Sequence, residues 1–182
     1  MSKLILYWLR ASWKSTVGKE LAEKTWKTFV DLDEYIVEKI EMTVTEFVEA
    51  NGWNAFRDLE YECLQEVLES DYDIVSLWWW TIEFPRNREA IDAYNVKVAY
   101  LFVDTKTQLD RILWDNEGNK NRPSLTDEIL EKELEEIYKK RHMIYYWFAK
   151  IRPEKETDSR DGLIISTKQA IWETINTLEN WQ

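Results

Sequence analysis

The chain has 182 residues, with 24 Lys and Arg against 35 Asp and Glu, for a net charge of -11 at neutral pH. That balance argues against non-specific nucleic-acid binding, which needs cations to neutralise phosphates. Hydrophobic residues make up 45% and charged residues 32%, enough for a sizeable core under a polar surface in a single domain spanning 1–182. Cys63 is the only cysteine. It cannot form an intrachain disulfide, and no apolar run has the length of a signal peptide or a membrane span. A monomeric cytoplasmic protein that binds neither membrane nor nucleic acid is therefore expected.

In chain order, strands alternate with helices. Leu4 to Tyr7 predicts a short buried strand, and Lys14 to Lys24 a helix with Val17, Leu21 and Ala22 on one face. Thr28 to Leu32 predicts a second strand. Helices follow over Asp33 to Ile40 and Thr43 to Ala50, and Asn51-Gly52 breaks the chain before a longer helix from Asn54 to Glu69. Asp73 to Leu77 predicts a third strand, Arg86 to Ala93 a helix, Val96 to Val103 a fourth strand and Thr105 to Leu113 a helix. The polar stretch 114–125 predicts a lid-like loop. Thr126 to Phe148 predicts a long helix whose acidic start and basic Lys139-Lys140-Arg141 end suit the helix dipole. Lys150 to Glu156 predicts an edge strand, because it contains Pro153, and Leu163 to Leu178 a last helix. The fold class is α/β: a parallel sheet of about five strands flanked by helices on both faces, with ligands at the carboxyl ends of the strands.

Residues 8–15, W-L-R-A-S-W-K-S, fill the frame of a phosphate loop, G-x-x-x-x-G-K-[ST], between a strand and a helix. In that role Lys14 reaches the outer phosphates and Ser15 the magnesium ion. The octet alone is better read as Lys14-Ser15-Thr16 simply starting a helix. The surrounding sequence weighs more: F-V-D-L-D, A-F-R-D-L-E, D-I-V-S-L-W-W-W-T, N-K-N-R-P-S-L and K-R-H-M-I-Y follow in order. Together with the octet they resemble the shikimate kinases from about residue 4 to 175.

The resemblance implies an ATP-dependent phosphotransferase acting on the 3-hydroxyl of shikimate, with Mg2+, in aromatic amino acid biosynthesis. It implies nucleotide-binding roles for Ala11, Ser12, Trp13, Lys14, Ser15, Thr16 and the lid residue Arg122, and metal-binding roles for Ser15 and Asp31. Asp33 resembles the carboxylate on the shikimate hydroxyl, and Lys14, Asp33 and Arg122 the catalytic groups. Arg57 and Arg141 resemble the pair that grips the substrate carboxylate, with Glu60, Trp79 and Trp80 beside it. The residue types suit that chemistry: a planar guanidinium matches a carboxylate in two-point contact, and phosphoryl transfer needs phosphate charge neutralised around an in-line acceptor. Taken singly, the same residues also have ordinary structural readings. Asp31 and Asp33 could cap a helix, Arg57 and Glu60 could form an i,i+3 pair, and Arg141 could be a C-terminal helix cation. His142 is expected on an exposed helix face and Cys63 in the core.

Two counts stand apart. There are 11 Trp and 4 Gly, where average usage predicts roughly 13 Gly. Trp8 and Trp13 stand at the two loop-glycine positions of the family, Trp78, Trp79 and Trp80 at its G-G-G, and Trp26 where a glycine ends the first helix. Ala11 and Met143 are milder departures, from a glycine and a proline. Indoles at glycine turns predict backbone strain of about 1 to 2 kcal/mol per left-handed residue and a cleft filled by rings of about 150 to 250 Å² each. The alternative to an active kinase is therefore an inactive, altered or engineered scaffold of the same fold with an indole-filled cleft. Exposed indoles would instead make an interaction surface.

Overall fold

The computed structural model describes residues 3–7, 14–78, 80–94, 96–100, 105–114 and 130–148. The expected lid, last strand and last helix lie outside these residues. So do Trp8, Ala11, Ser12, Trp13, Trp79 and Arg122, and the side chains of Lys14, Thr16 and His142.

Strand β1 (Lys3–Tyr7) is buried along its whole length. Its apolar run Leu4–Tyr7 has both faces covered, as the inner strands of parallel sheets do. It pairs in parallel with β3 (Ile74–Ser76) on one side and β4 (Val96–Tyr100) on the other. β2 (Phe29–Asp31) pairs with β3, giving the order β2-β3-β1-β4 among the described residues. The register sets Ile5 beside Val75 and Val98, so one apolar layer runs across the sheet. Lys3 closes the bottom of β1 by donating to the backbone carbonyls of Ser70 at 2.5 Å and Tyr72 at 2.6 Å.

Helix α1 (Lys14–Thr25) leads from β1 to β2. Gly18 lets it lie close on the sheet, since a Cβ there would sit 2.2 Å from the Phe29 ring. Helix α2 (Leu32–Ile40) begins one residue earlier than expected, because Asp31 itself is the cap. Helix α3 (Val44–Glu69) opens on a capping box made by Thr43 and Glu46. The expected break at Asn51-Gly52 is a kink within α3, where Gly52 takes φ 83°, a conformation glycine reaches without steric penalty. Beyond the kink Phe56, Glu60, Cys63, Leu64 and Val67 form the buried face.

After β3 the chain makes a short 3-10 turn (Thr81–Glu83) and enters α4 (Pro85–Ala93), with Pro85 in the first turn, where its missing N–H is not needed. Asn87 and Arg88 of α4 donate back to the carbonyls of Thr81, Ile82 and Glu83 at 2.6 to 2.9 Å, fixing the turn. Helix α5 (Thr105–Trp114) follows β4, and α6 (Leu130–Phe148) packs against β4 and the 3-10 turn through residues such as Ile137 and Tyr145. α6 ends at Phe148, where the sequence predicts it to end, but Lys139–Arg141 lies inside the helix and its last turn holds no basic residue. Arg141 is thus not a C-terminal cation. Its place in mid-helix turns it inward, half-buried, toward the turn.

No described helix is long and apolar enough to cross a membrane. Cys63 is fully buried as expected, and burial pushes its thiol up to about 11, which keeps it protonated and inert.

Candidate active site

Two groups of polar residues gather at the carboxyl ends of the strands. The first lies where β2 ends beside the start of α1. Ser15, the second residue of α1, donates its hydroxyl to Oδ2 of Asp31, the last residue of β2. The other oxygen, Oδ1, accepts the backbone N–H of Asp33 at 3.0 Å and caps α2. The capping reading of Asp31 is therefore correct and incomplete, because one carboxylate serves both the helix and the hydroxyl. Asp33 follows in the first turn of α2, half-buried.

The donor set bears on which metal could bind. Among the described residues no group of three or more His, Cys, Asp or Glu could cage an ion. Magnesium is held by one or two carboxylates plus substrate phosphates and water. A hydroxyl and a carboxylate in contact beside a helix N-terminus fit an ion delivered with a nucleotide's phosphates.

The second group is assembled from α3, the turn after β3, and α6. Glu60 is fully buried and accepts three donors: Arg57 Nη1 at 3.2 Å, Trp80 Nε1 at 3.0 Å and Thr81 Oγ1 at 2.6 Å. Burial pushes its carboxyl above the usual range, and the Thr81 and Arg57 contacts pull it back; Asp33 is close enough to repel it. Burial likewise lowers the Arg57 pKa, which Glu60 and Glu83 oppose, while the nearby charge of Arg141 adds to the lowering. Arg141 pairs through Nε with Glu83 Oε1 at 2.8 Å, and Tyr145 donates its hydroxyl to the same oxygen at 3.3 Å. Arg57, Glu60, Trp80 and Arg141 are thus brought together, with Asp33 close enough to act on Glu60. Glu83 and Thr81 join them unpredicted. The signal for Glu83 was slight: it is the lone carboxylate in the stretch T-I-E-F that follows the tryptophans.

Trp53, Trp78 and Trp80 make a ring cluster with Phe56, and Arg57 lies over the Trp53 and Trp80 rings. Trp78 and Trp80 stack with centroids 4.6 Å apart at 12°, and Phe56 sets its edge on both. Trp53 meets Trp80 edge-on at 5.6 Å, and the Arg57 guanidinium lies 4.2 Å from the Trp80 ring centroid. Such contacts add a cation–π attraction to the ion pair. The Trp78 Nε1 and the Ser76 hydroxyl are buried without a hydrogen-bond partner, which marks where tight packing of indoles has cost polar satisfaction.

The expected backbone strain is absent at Trp78 and Trp80. Among the described residues only Trp26 and Glu41, besides Gly52, have positive φ, and Trp80 sits at φ −100° and ψ −9°. Trp80 is thus right-handed and Trp78 lies outside the left-handed region, so neither pays the cost a Cβ carries there. The prediction does hold at Trp26, which ends α1 at φ 54° with its ring 96% exposed; an L-residue is held in the left-handed region there and gains little burial in return.

Comparison with known proteins agrees with this arrangement. The family model for shikimate kinase matches residues 10–177. A shikimate kinase of Xanthomonas axonopodis pv. citri is 35% identical over 143 residues, covering 79% of this chain and 77% of that one. Shikimate kinase 2 of Photorhabdus laumondii is 32% identical over 142 residues, covering 78% and 80%. Among solved structures, the shikimate kinase of Acinetobacter baumannii in complex with shikimate superposes with a TM-score of 0.78 at 27% identity, over 98% of this chain and 96% of that one. With a parallel sheet flanked by helices, the Ser15–Asp31 pair beside α1 and two arginines converging from α3 and α6, the chain belongs to the shikimate kinase family.

Proposed function

We propose that this chain binds ATP with Mg2+ beside Ser15 and Asp31 and transfers the γ-phosphoryl group to the 3-hydroxyl of shikimate. The observation that carries this reading is the meeting of Arg57 and Arg141, from helices far apart in sequence, a short way from Asp33. Two guanidiniums give a carboxylate two-point recognition, and Asp33 stands on the helix that Asp31 caps and is close enough to Glu60 to act on its charge. In this reading Ser15 and Asp31 hold Mg2+, directly or through water, and the ion neutralises phosphate charge. Asp33 orients the acceptor hydroxyl and takes its proton. Lys14, at the first position of α1, and Arg122 stabilise the charge developing on the transferred group. Ala11, Ser12, Trp13 and Thr16 complete the phosphate contacts, and Glu60 orients Arg57. Trp79 and Trp80 border the acid pocket.

A second reading has its own support. The stacked Trp78 and Trp80, buried against Phe56, make a filled wall on the acid side, as an inactive scaffold of this fold would have. A coupled ATP and shikimate phosphotransfer assay separates the two. It is run on this chain beside a version with Trp8, Trp13, Trp78, Trp79 and Trp80 changed to Gly. Turnover by both chains supports the enzyme as it stands. Turnover only by the glycine version supports the filled scaffold. Turnover by neither, with both folded, overturns the shikimate assignment.

A further inference from the structure

The two arginines of the acid pocket do not wait for a ligand in the same state. Arg57 is paired with Glu60, which is fully buried and fixed by three donors; that carboxylate is part of the wall. Arg141 is paired with Glu83, whose side chain is 23% exposed and which contacts Arg141 and Tyr145 through one oxygen. The backbone of Glu83 is pinned by Arg88, so a departure of its carboxylate from Arg141 is a side-chain rotation. With Asp33 included, the pocket sets two guanidiniums against three carboxylates. It is therefore already neutralised toward an incoming anion.

We infer that Glu83 is an internal competitor for the acid ligand: its carboxylate occupies the Nε edge of Arg141 that the ligand's carboxylate would take, so a small hydroxy acid binds there only by displacing it. This rests on the reading of Arg57 and Arg141 as the acid-gripping pair. It makes Glu83 a specificity-determining residue. A weakly held monocarboxylate fails to displace it, and a ligand with further hydroxyl contacts succeeds. The groups facing Glu83 are Arg141 and Tyr145 from α6, Arg57 from α3 and Arg88 from α4, whose side chain donates to its carbonyl. Burial pushes the Glu83 carboxyl up, against the pull of Arg141, the Tyr145 hydroxyl and Arg57. Mild acid therefore releases Arg141, and competition weakens as the pH falls.

The test is an NMR titration of the full chain, following the Arg141 Nε–H and Trp80 Nε1–H resonances with acetate and, separately, with shikimate. It compares wild type with Glu83→Gln at two pH values, one neutral and one mildly acidic. Removing a like charge from beside the site should tighten acetate binding by ~10-fold or more at neutral pH, with a smaller gap in acid. Glu83→Ala should behave the same way, and serves if the glutamine variant folds poorly. Adding Arg141→Ala to either should abolish the gain, read from the Trp80 Nε1–H resonance, which that variant keeps. Equal acetate affinity in wild type and both variants overturns the inference, as does the absence of acetate binding in all of them. Tighter acetate binding in the variants, with no shikimate response in any chain, upholds the role of Glu83 and removes the shikimate reading instead.

Discussion

The two ends of the candidate site are built on different terms. At the nucleotide side, Ser15 and Asp31 are held by local structure: a helix start, a strand end and one cap. At the acid side, Arg57, Glu60, Trp80, Glu83 and Arg141 come from three separate segments and satisfy one another in a buried setting. A local site tolerates loss of one member, because water and neighbouring backbone can replace it. A buried network does not, because each member removed leaves a desolvated partner.

The sharpest way to break this contrast is to remove one carboxylate from each side. Glu60→Ala should cost about 3 to 5 kcal/mol of stability, the loss expected when a buried pair is left with one charge, since it also orphans Trp80 Nε1 and Thr81 Oγ1. Gly18→Ala, on α1 beside the nucleotide side, should cost about 1 to 3 kcal/mol by overpacking, because the new methyl group drives into Phe29. Asp31 is also buried, but its removal leaves one hydroxyl and one backbone N–H rather than an opposite charge, so Asp31→Ala should cost about 1 to 2 kcal/mol, while weakening metal-nucleotide binding. Urea unfolding of the three variants ranks them. If Asp31→Ala proves as damaging as Glu60→Ala, the distinction between a local and a networked side fails.

The smallest effect concerns pH. The Glu83 carboxyl is pushed above its usual value by burial, so the folded state holds that proton more tightly than the unfolded one. Its contribution to stability is therefore present in acid and is lost as the pH rises through the raised value. Glu83→Gln has no such titration. The difference in melting temperature, wild type minus variant, should shrink steadily as the pH is raised from 4.5 toward neutrality. A difference that grows over that range would mean that Arg141 outweighs burial.

Some of this was legible from the chain alone. The apolar runs at Leu4–Leu6, Ile74–Val75 and Val98–Ala99 sit in β1, β3 and β4, because a strand buried on both faces cannot alternate with polar residues. Asn51-Gly52 marked a break that is realised as the positive φ of Gly52. The ordered motifs placed Asp31, Arg57, Glu60 and Arg141 on the elements where they are found. One misreading arose where a local rule was extended past its range. Lys139–Arg141 suited a helix end by charge, yet α6 runs on to Phe148, its predicted end, because Tyr145 and Phe148 pack on Tyr7 of β1 and Tyr145 also on Tyr100 of β4.

The sequence by itself determined the family, the order of strands and helices, and the residue types of the site, since periodicity, turn chemistry and motif spacing are properties of neighbours along the chain. Only the tertiary structure decided that Trp78 and Trp80 stack with positive φ at neither, and that Glu83 lies against Arg141, 58 residues away. Which carboxylate meets which guanidinium depends on how α6 settles over the turn after β3. That is fixed by burial of side chains distant in sequence, and no local pattern encodes it.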